Sequence, residues 1–181
     1  MGEIIETERL VLVPLEVEEL RLWIGDMGAL ERKLDCIYKA EPMEGMFREI
    51  VKGQLKETVR DPEHYYWHSF WFLIRKSDRV VVGSADFKDK PDGNGEVEIG
   101  YGLGEEYEHN GYMTEAVEAM CRWALDRPDV SGVIAETEAD GAASQKLLER
   151  CGFVRYKAGE TYWWRRRKSM VKNHIENQNN S

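Results

Sequence analysis

Residues 108–117 read EHNGYMTEAV, a glycine in a polar loop directly ahead of a helical pattern. Met113, Ala116, Val117, Met120 and Ala124 recur at i, i+3, i+4, i+7 and i+11, the spacing of a helix with one buried face. Gly111 permits positive φ and close approach of a ligand, and the helix start beyond it offers unsatisfied N–H groups and a partial positive charge. Such a turn suits a phosphate, although the chain carries a net charge of −9. Taken alone, Asn110-Gly111 is better read as an ordinary turn.

Working outward, EVEIGYGL (96–103) before the turn and VSGVIAETE (130–138) after the helix read as strands, so the centre of the chain is a βαβ unit. Upstream, ERLVLVPL (8–15) alternates as a half-buried strand does, and VEELRLWIGDM (17–27) carries helical spacing. MFREIVKGQLKETV (46–59) predicts a second helix, with Met46, Ile50, Val51 and Leu55 on one buried stripe. YWHSFWFLIRK (66–76) and RVVVGSADF (79–87) predict a hairpin turning at Ser77-Asp78. Downstream, GAASQKLLERC (141–151) reads as a short helix, and GFVRYK (152–157) and TYWWRRRK (161–168) as closing strands. The order β-α-α-β-β-β-α-β-α-β-β makes a mixed α/β domain over 1–168, with a central sheet of about seven strands, mostly antiparallel, and flanking helices. Residues 169–181 are polar and read as a mobile tail.

Composition narrows the function. At 181 residues and 42% hydrophobic content the chain suits one domain. It shows neither a signal peptide nor an apolar run long enough to span a membrane. Cys36, Cys121 and Cys151 lie far apart with no CxxC pair, which argues against disulfides or thiolate metal sites and for a cytoplasmic home. His64 and His68 flank the entry to a strand and do not share a helix face, so no metal is expected. With 34 acidic against 25 basic residues, nucleic acid is a poor partner and cationic amines a better one. Gly100, Gly102 and Glu105 break GxGxxG spacing, and no P-loop is present.

VEIGYGLGEEYEHNGYMTEAV (97–117), AETEADGAASQKLLERCGF (135–153) and TERLVLVPL (7–15) together resemble the GNAT superfamily of N-acetyltransferases, and within it the ribosomal-protein-alanine (Nα-terminal) branch. The resemblance covers roughly residues 7–168. It implies a parallel splay within the βαβ unit and an acetyl-CoA site formed by Tyr101, Leu103, Glu108, His109, Asn110, Gly111, Tyr112, Met113, Thr114, Gly141 and Ser144. The turn at Gly111 would then cradle the pyrophosphate on main-chain N–H groups. Three departures stand out. Glu108 replaces the usual Gln or Arg, with Met113 at the second small position; Gly141 stands where the branch has Asn; Leu148 stands where many members have a proton-donating Tyr.

Acyl transfer to an amine needs a neutral acceptor, a stabilised oxyanion and a proton for the leaving sulfur. Glu98, facing away from inward Val97 and Ile99, matches the family's EIGY glutamate and is the expected base. A solvated strand residue is the plainer alternative. An N–H near Leu103, where Gly102 and Gly104 would let the strand bulge from its neighbour, is the expected oxyanion donor. Ser144 matches the family's candidate proton donor, with Tyr156 and Tyr162 as alternatives, or it simply supports its helix start. Some of Trp67, Phe70, Trp71, Trp163 and Trp164 would line an acceptor pocket. The expectation is direct acetyl transfer to a primary amine, either a peptide N-terminus or a small amine, in a ternary complex. A homodimer is compatible with it. The rival is a CoA-binding sensor or interaction module that has lost catalysis through the three departures.

Overall fold

A computed structural model of the chain describes residues 2–169; most of the tail expected over 169–181 lies outside the described residues. The strands form one nine-stranded sheet in the order β1-β2-β4-β5-β6-β7-β9-β8, with β3 paired to β5. The seven expected strands are β2 (Leu10–Pro14), β4 (Phe70–Arg75), β5 (Val80–Phe87), β6 (Glu96–Leu103), β7 (Gly132–Glu138), β8 (Val154–Ala158) and β9 (Thr161–Arg167). The remaining two, β1 (Ile5–Glu6) and β3 (Ile37–Tyr38), are two-residue pairings too short to leave a pattern. Along the main path the sheet is antiparallel except where β6 meets β7.

Alternation in β4 shows how the sheet is covered on both sides. Trp71 and Leu73 enter the core under α4 (Tyr112–Leu125) and α5 (Ala142–Arg150), whereas Phe70, Phe72 and Ile74 enter a second core under α1 (Val17–Gly25), α2 (Met27–Leu34) and α3 (Gly45–Arg60). A strand buried on both faces reads as continuous apolar sequence, and FWFLI does.

Three expectations need correction. The helix expected over 17–27 stops at Gly25 and an unexpected second helix follows: Asp26 ends α1 and caps α2, its carboxylate accepting from Ala29 N at 3.1 Å. Asp at an N-cap competes with helix continuation, which divides the pattern. In α3, Val51 is buried but Met46 and Ile50 are 76% and 44% exposed. The packed stripe runs through Phe47, Val51 and Leu55 instead. The strand expected from Tyr66 begins only at Phe70, because Pro62–Trp67 forms a 3-10 turn.

Candidate active site

The site follows from the parting of β6 and β7. They pair only at Glu96–Gly132, Val97–Val133 and Glu98–Ile134. Beyond that, β6 stays on β5 in unbroken register through Leu103. The bulge expected at Gly102 and Gly104 is therefore absent, and the opening comes from the departure of β7. Lys88 N donates to Glu98 O and Gly104 N to Val82 O, both at 2.9 Å. Antiparallel alternation then turns the even-numbered peptide groups of β6 toward β5 and those of Tyr101 and Leu103 into the opening. A main-chain donor pair is thus aimed where a carbonyl oxygen could sit.

On the α4 and α5 side lies a groove of about 300 Å³. Tyr101, Leu103, Glu108, His109, Gly111, Met113, Thr114 and Ser144 line it, as expected from sequence, joined by Ala143, Leu147 and Arg150. Asn110, Tyr112 and Gly141 do not line it. The Asn110 amide donates to Tyr107 O at 3.2 Å and Glu108 O at 3.0 Å, bracing the turn from within. The Tyr112 ring lies under the Arg9 guanidinium at 4.4 Å, and Gly141 N donates to Glu138 O at 3.1 Å.

The turn has the expected backbone: His109 and Gly111 take φ of 65° and 78°. Gly111 is the N-cap of α4, and no side chain caps that helix or α5, so first-turn N–H groups remain for an anion. Arg9 ties the turn from outside, donating to Asn110 O at 2.9 Å and Glu115 Oε1 at 2.8 Å. Burial alone would raise the Glu115 carboxyl, but hydrogen bonds from Thr7 and Arg9 outweigh it and hold the carboxyl low. Glu108 is exposed. The donor set of main-chain N–H groups, the Ser144 hydroxyl and Arg150 fits a phosphorylated thiol carrier such as coenzyme A.

On the opposite face a second cavity, of about 260 Å³, is lined by the apolar Met46, Phe47, Ile50 and Phe70 and by the polar or charged Glu41, Ser84, Asp86 and Lys88. Met46 and Ile50, expected in the core, are its rim. Tyr101 belongs to both cavities, with Gly102 on one and Leu103 on the other. Glu98 shares the face of Gly100 and Gly102 and is half-buried. Its carboxyl is raised above the usual range, chiefly by burial and also by Glu136 and Asp86, against the pull of Lys88. A carboxyl so raised is a better proton acceptor.

The Tyr101 hydroxyl stands 2.5 Å from Ser144 Oγ, a pair that local pattern could not show because 43 residues separate its members. Burial raises the Tyr101 phenol, with the Ser144 contact opposing. Leu148 is fully buried in the core, so no hydroxyl is wanted there. Tyr156 and Tyr162 line neither cavity; they stack with Arg165 and Arg155 at 4.0 and 4.7 Å. Of the five aromatics expected at an acceptor pocket, Trp67, Trp71 and Trp164 are core, Trp163 lines neither cavity, and Phe70 reaches the second one.

The cysteines are free and buried. Burial pushes the Cys36 and Cys151 thiols up to about 11, and that of Cys121 higher still. His64 and His68 both bond Asp61, at 2.9 and 3.0 Å; no group of three metal-ligating side chains occurs among the described residues. No helix among them is long and apolar enough to cross a membrane.

Comparison with known proteins agrees with this geometry. The uncharacterized N-acetyltransferase YjdG of Bacillus subtilis is 37% identical over 95 residues, spanning 52% of this chain and 56% of that protein. The uncharacterized N-acetyltransferase p20 of Bacillus licheniformis is 29% identical over 159 residues, 83% of this chain and 82% of that one. In fold, the ribosomal-protein-S5-alanine acetyltransferase of Vibrio fischeri superposes with a TM-score of 0.66 at 18% identity, covering 93% of this chain and 98% of that one. The ribosomal L7/L12 alpha-N-protein acetyltransferase RimL in complex with coenzyme A gives 0.65 at 15% identity, covering 91% and 98%. The family description "Acetyltransferase (GNAT) domain" matches residues 9–154, which include the splayed strands, the Gly111 turn and the Tyr101–Ser144 pair. This chain is a member of the GNAT acetyltransferase family.

Proposed function

We propose that the protein transfers acetyl from acetyl-CoA to a primary amine, a peptide α-amine or a small amine, by direct attack in a ternary complex. The observation that carries this reading is the junction at Tyr101: one cavity suited to a phosphorylated carrier and one bearing carboxylates meet on either side of a single strand segment.

In this reading the first-turn N–H groups of α4 and Arg150 bind the pyrophosphate. Acetyl-CoA supplies an acyl group activated as a thioester. The Tyr101 and Leu103 N–H groups stabilise negative charge on the carbonyl oxygen. Glu98 takes the proton of the acceptor ammonium, directly or through water. The Ser144 and Tyr101 hydroxyls deliver a proton to the departing sulfur, a modest demand for a thiol of pKa about 8.5. Buried cysteines with raised pKa values are poor nucleophiles, which favours direct transfer over an acyl-enzyme. The cytoplasm, where thiols stay reduced, suits three free cysteines.

Thiol release from acetyl-CoA, followed over a panel of peptide and small amines, tests the proposal. Release that depends on the acceptor, with the mass of the acetylated amine recovered, is expected. Coenzyme binding without release on any amine would instead make the protein a sensor.

A further inference from the structure

Asp86 on β5 is only 2% exposed, and its Oδ2 has no hydrogen-bond partner. Its ion-pair partner, Lys88 Nζ, is itself half-exposed and stands 3.6 Å from Oδ2, beyond hydrogen-bond distance. Burial raises this carboxyl, with Lys88 opposing. Asp86 lines the acceptor-side cavity. Gly100 lies directly across from it in register. A Cβ there would come within 2.8 Å of both Asp86 Oδ1 and Lys88 Nζ, and one at Gly102 would lie 3.7 Å from Glu41 Oε2. The glycines after Glu98 therefore form a bare floor, with Asp86 and Glu41 over it and Glu98 at its end. Three carboxylates against one ammonium exceed what a single amine neutralises.

We propose that Asp86 binds a cationic group of the acceptor other than the nitrogen that is acetylated, so that the preferred acceptor is a small diamine. The reacting nitrogen must be neutral to attack, so its charge is lost at the step that matters. A carboxylate shielded from water needs a partner whose charge persists. Glu98 and Gly100 are two residues apart along β6, about 7 Å, a separation that a short alkyl diamine spans. Met46, Phe47 and Ile50 flank the cavity and offer apolar surface to the methylenes. This inference rests on the cavity being the acceptor site of the acetyltransferase proposed above.

Calorimetric titration of 1,4-diaminobutane and of butylamine into protein saturated with coenzyme A tests it without requiring turnover. The wild type should bind the diamine at least about tenfold more tightly, the result of a retained charge pair. In Asp86→Asn the two amines should differ by no more than about threefold, with coenzyme affinity unchanged. Equal binding by the wild type, which no folding defect can explain, would overturn the proposal, as would a preference that survives in a folded Asp86→Asn protein. A preference that depends on Asp86, in a protein that acetylates neither amine, would uphold the carboxylate's role while removing the acetyltransferase reading.

Discussion

The two cavities that meet at Tyr101 are built from different materials. The groove proposed for the coenzyme uses backbone: a turn at positive φ, an uncapped helix start and inward N–H groups, with Asn110 and Arg9 bracing the loop and the acidic Glu108 at its exposed edge. The acceptor-side cavity of the proposal uses side chains from β4, β5, β6, α3 and the segment before it, most of them charged or apolar, with a buried carboxylate whose Oδ2 has no hydrogen bond and only a 3.6 Å ion pair to Lys88. A main-chain site tolerates change in the residues around it, so this sequence can carry Glu108 and Met113 in its turn. A side-chain site should be sensitive to each of its members, and on the proposed function it is there that acceptor choice would reside.

If that contrast holds, the largest effect belongs to the acceptor side. Glu98→Gln should lower kcat by about 100-fold, with little change in coenzyme affinity. The rate should recover toward high pH as the acceptor loses its proton unaided, while the acid limb of the wild-type profile should lie above the ordinary carboxylate range, as burial of Glu98 requires. A wild-type pH profile in Glu98→Gln would exonerate this residue.

Gly111→Val should weaken coenzyme binding by about tenfold or more, because a β-branched residue at φ 78° is strained. An added Cβ would meet only Arg9 Nη2, at 3.4 Å, so the defect is one of backbone conformation. Gly111→Asn, which tolerates that conformation better, should retain most of the affinity. If Val and Asn behave alike in binding assays, the turn's φ is not what matters.

Asp86→Asn should stabilise the fold at neutral pH by about 1 kcal/mol, since it removes a buried charge that only a 3.6 Å ion pair with half-exposed Lys88 offsets. The sign follows from the raised carboxyl. Its favourable protonated form is available below the unfolded pKa, and the wild type loses that stability as pH rises from about 3.9 through the folded value. The variant should lack this decline. Denaturant melts from pH 4 to 8 would show it, and a variant less stable than wild type at neutral pH would mean that Asp86 holds the sheet together.

The smallest effect belongs to Glu108. Exposed beside the groove, its charge should repel phosphates weakly, so Glu108→Gln should tighten coenzyme binding by about two- to threefold at low salt, fading at high salt. Weaker binding in that titration would give the carboxylate a structural role in the turn.

The same contrast explains what could be read from the sequence. The Gly111 turn, the α4 stripe and the strands on either side of them are contiguous in the chain, so their patterns carry the fold and most of the coenzyme groove. The second cavity brings together residues 41, 46, 86 and 101, which no local periodicity relates, with Glu98 outside its lining but on the strand face that Gly100 shares with Asp86. Met46 and Ile50 fit a buried helical stripe by spacing but face a cavity instead. Asp86 sits in a strand whose neighbours are buried on both faces, and alternation gives no hint that a carboxylate there is directed at a ligand. The opening of β6 from β7 was expected from family resemblance, but its cause was misplaced, because the end of a pairing leaves no mark in composition.

Initial velocities measured over a grid of acetyl-CoA and amine concentrations test the central claim most directly. If coenzyme groove and acceptor cavity meet at Tyr101 so that the amine attacks directly, double-reciprocal plots should intersect, and no acetylated protein should be detected by mass when the acceptor is withheld. Parallel lines, with a stable acetyl group on the chain, would contradict the account.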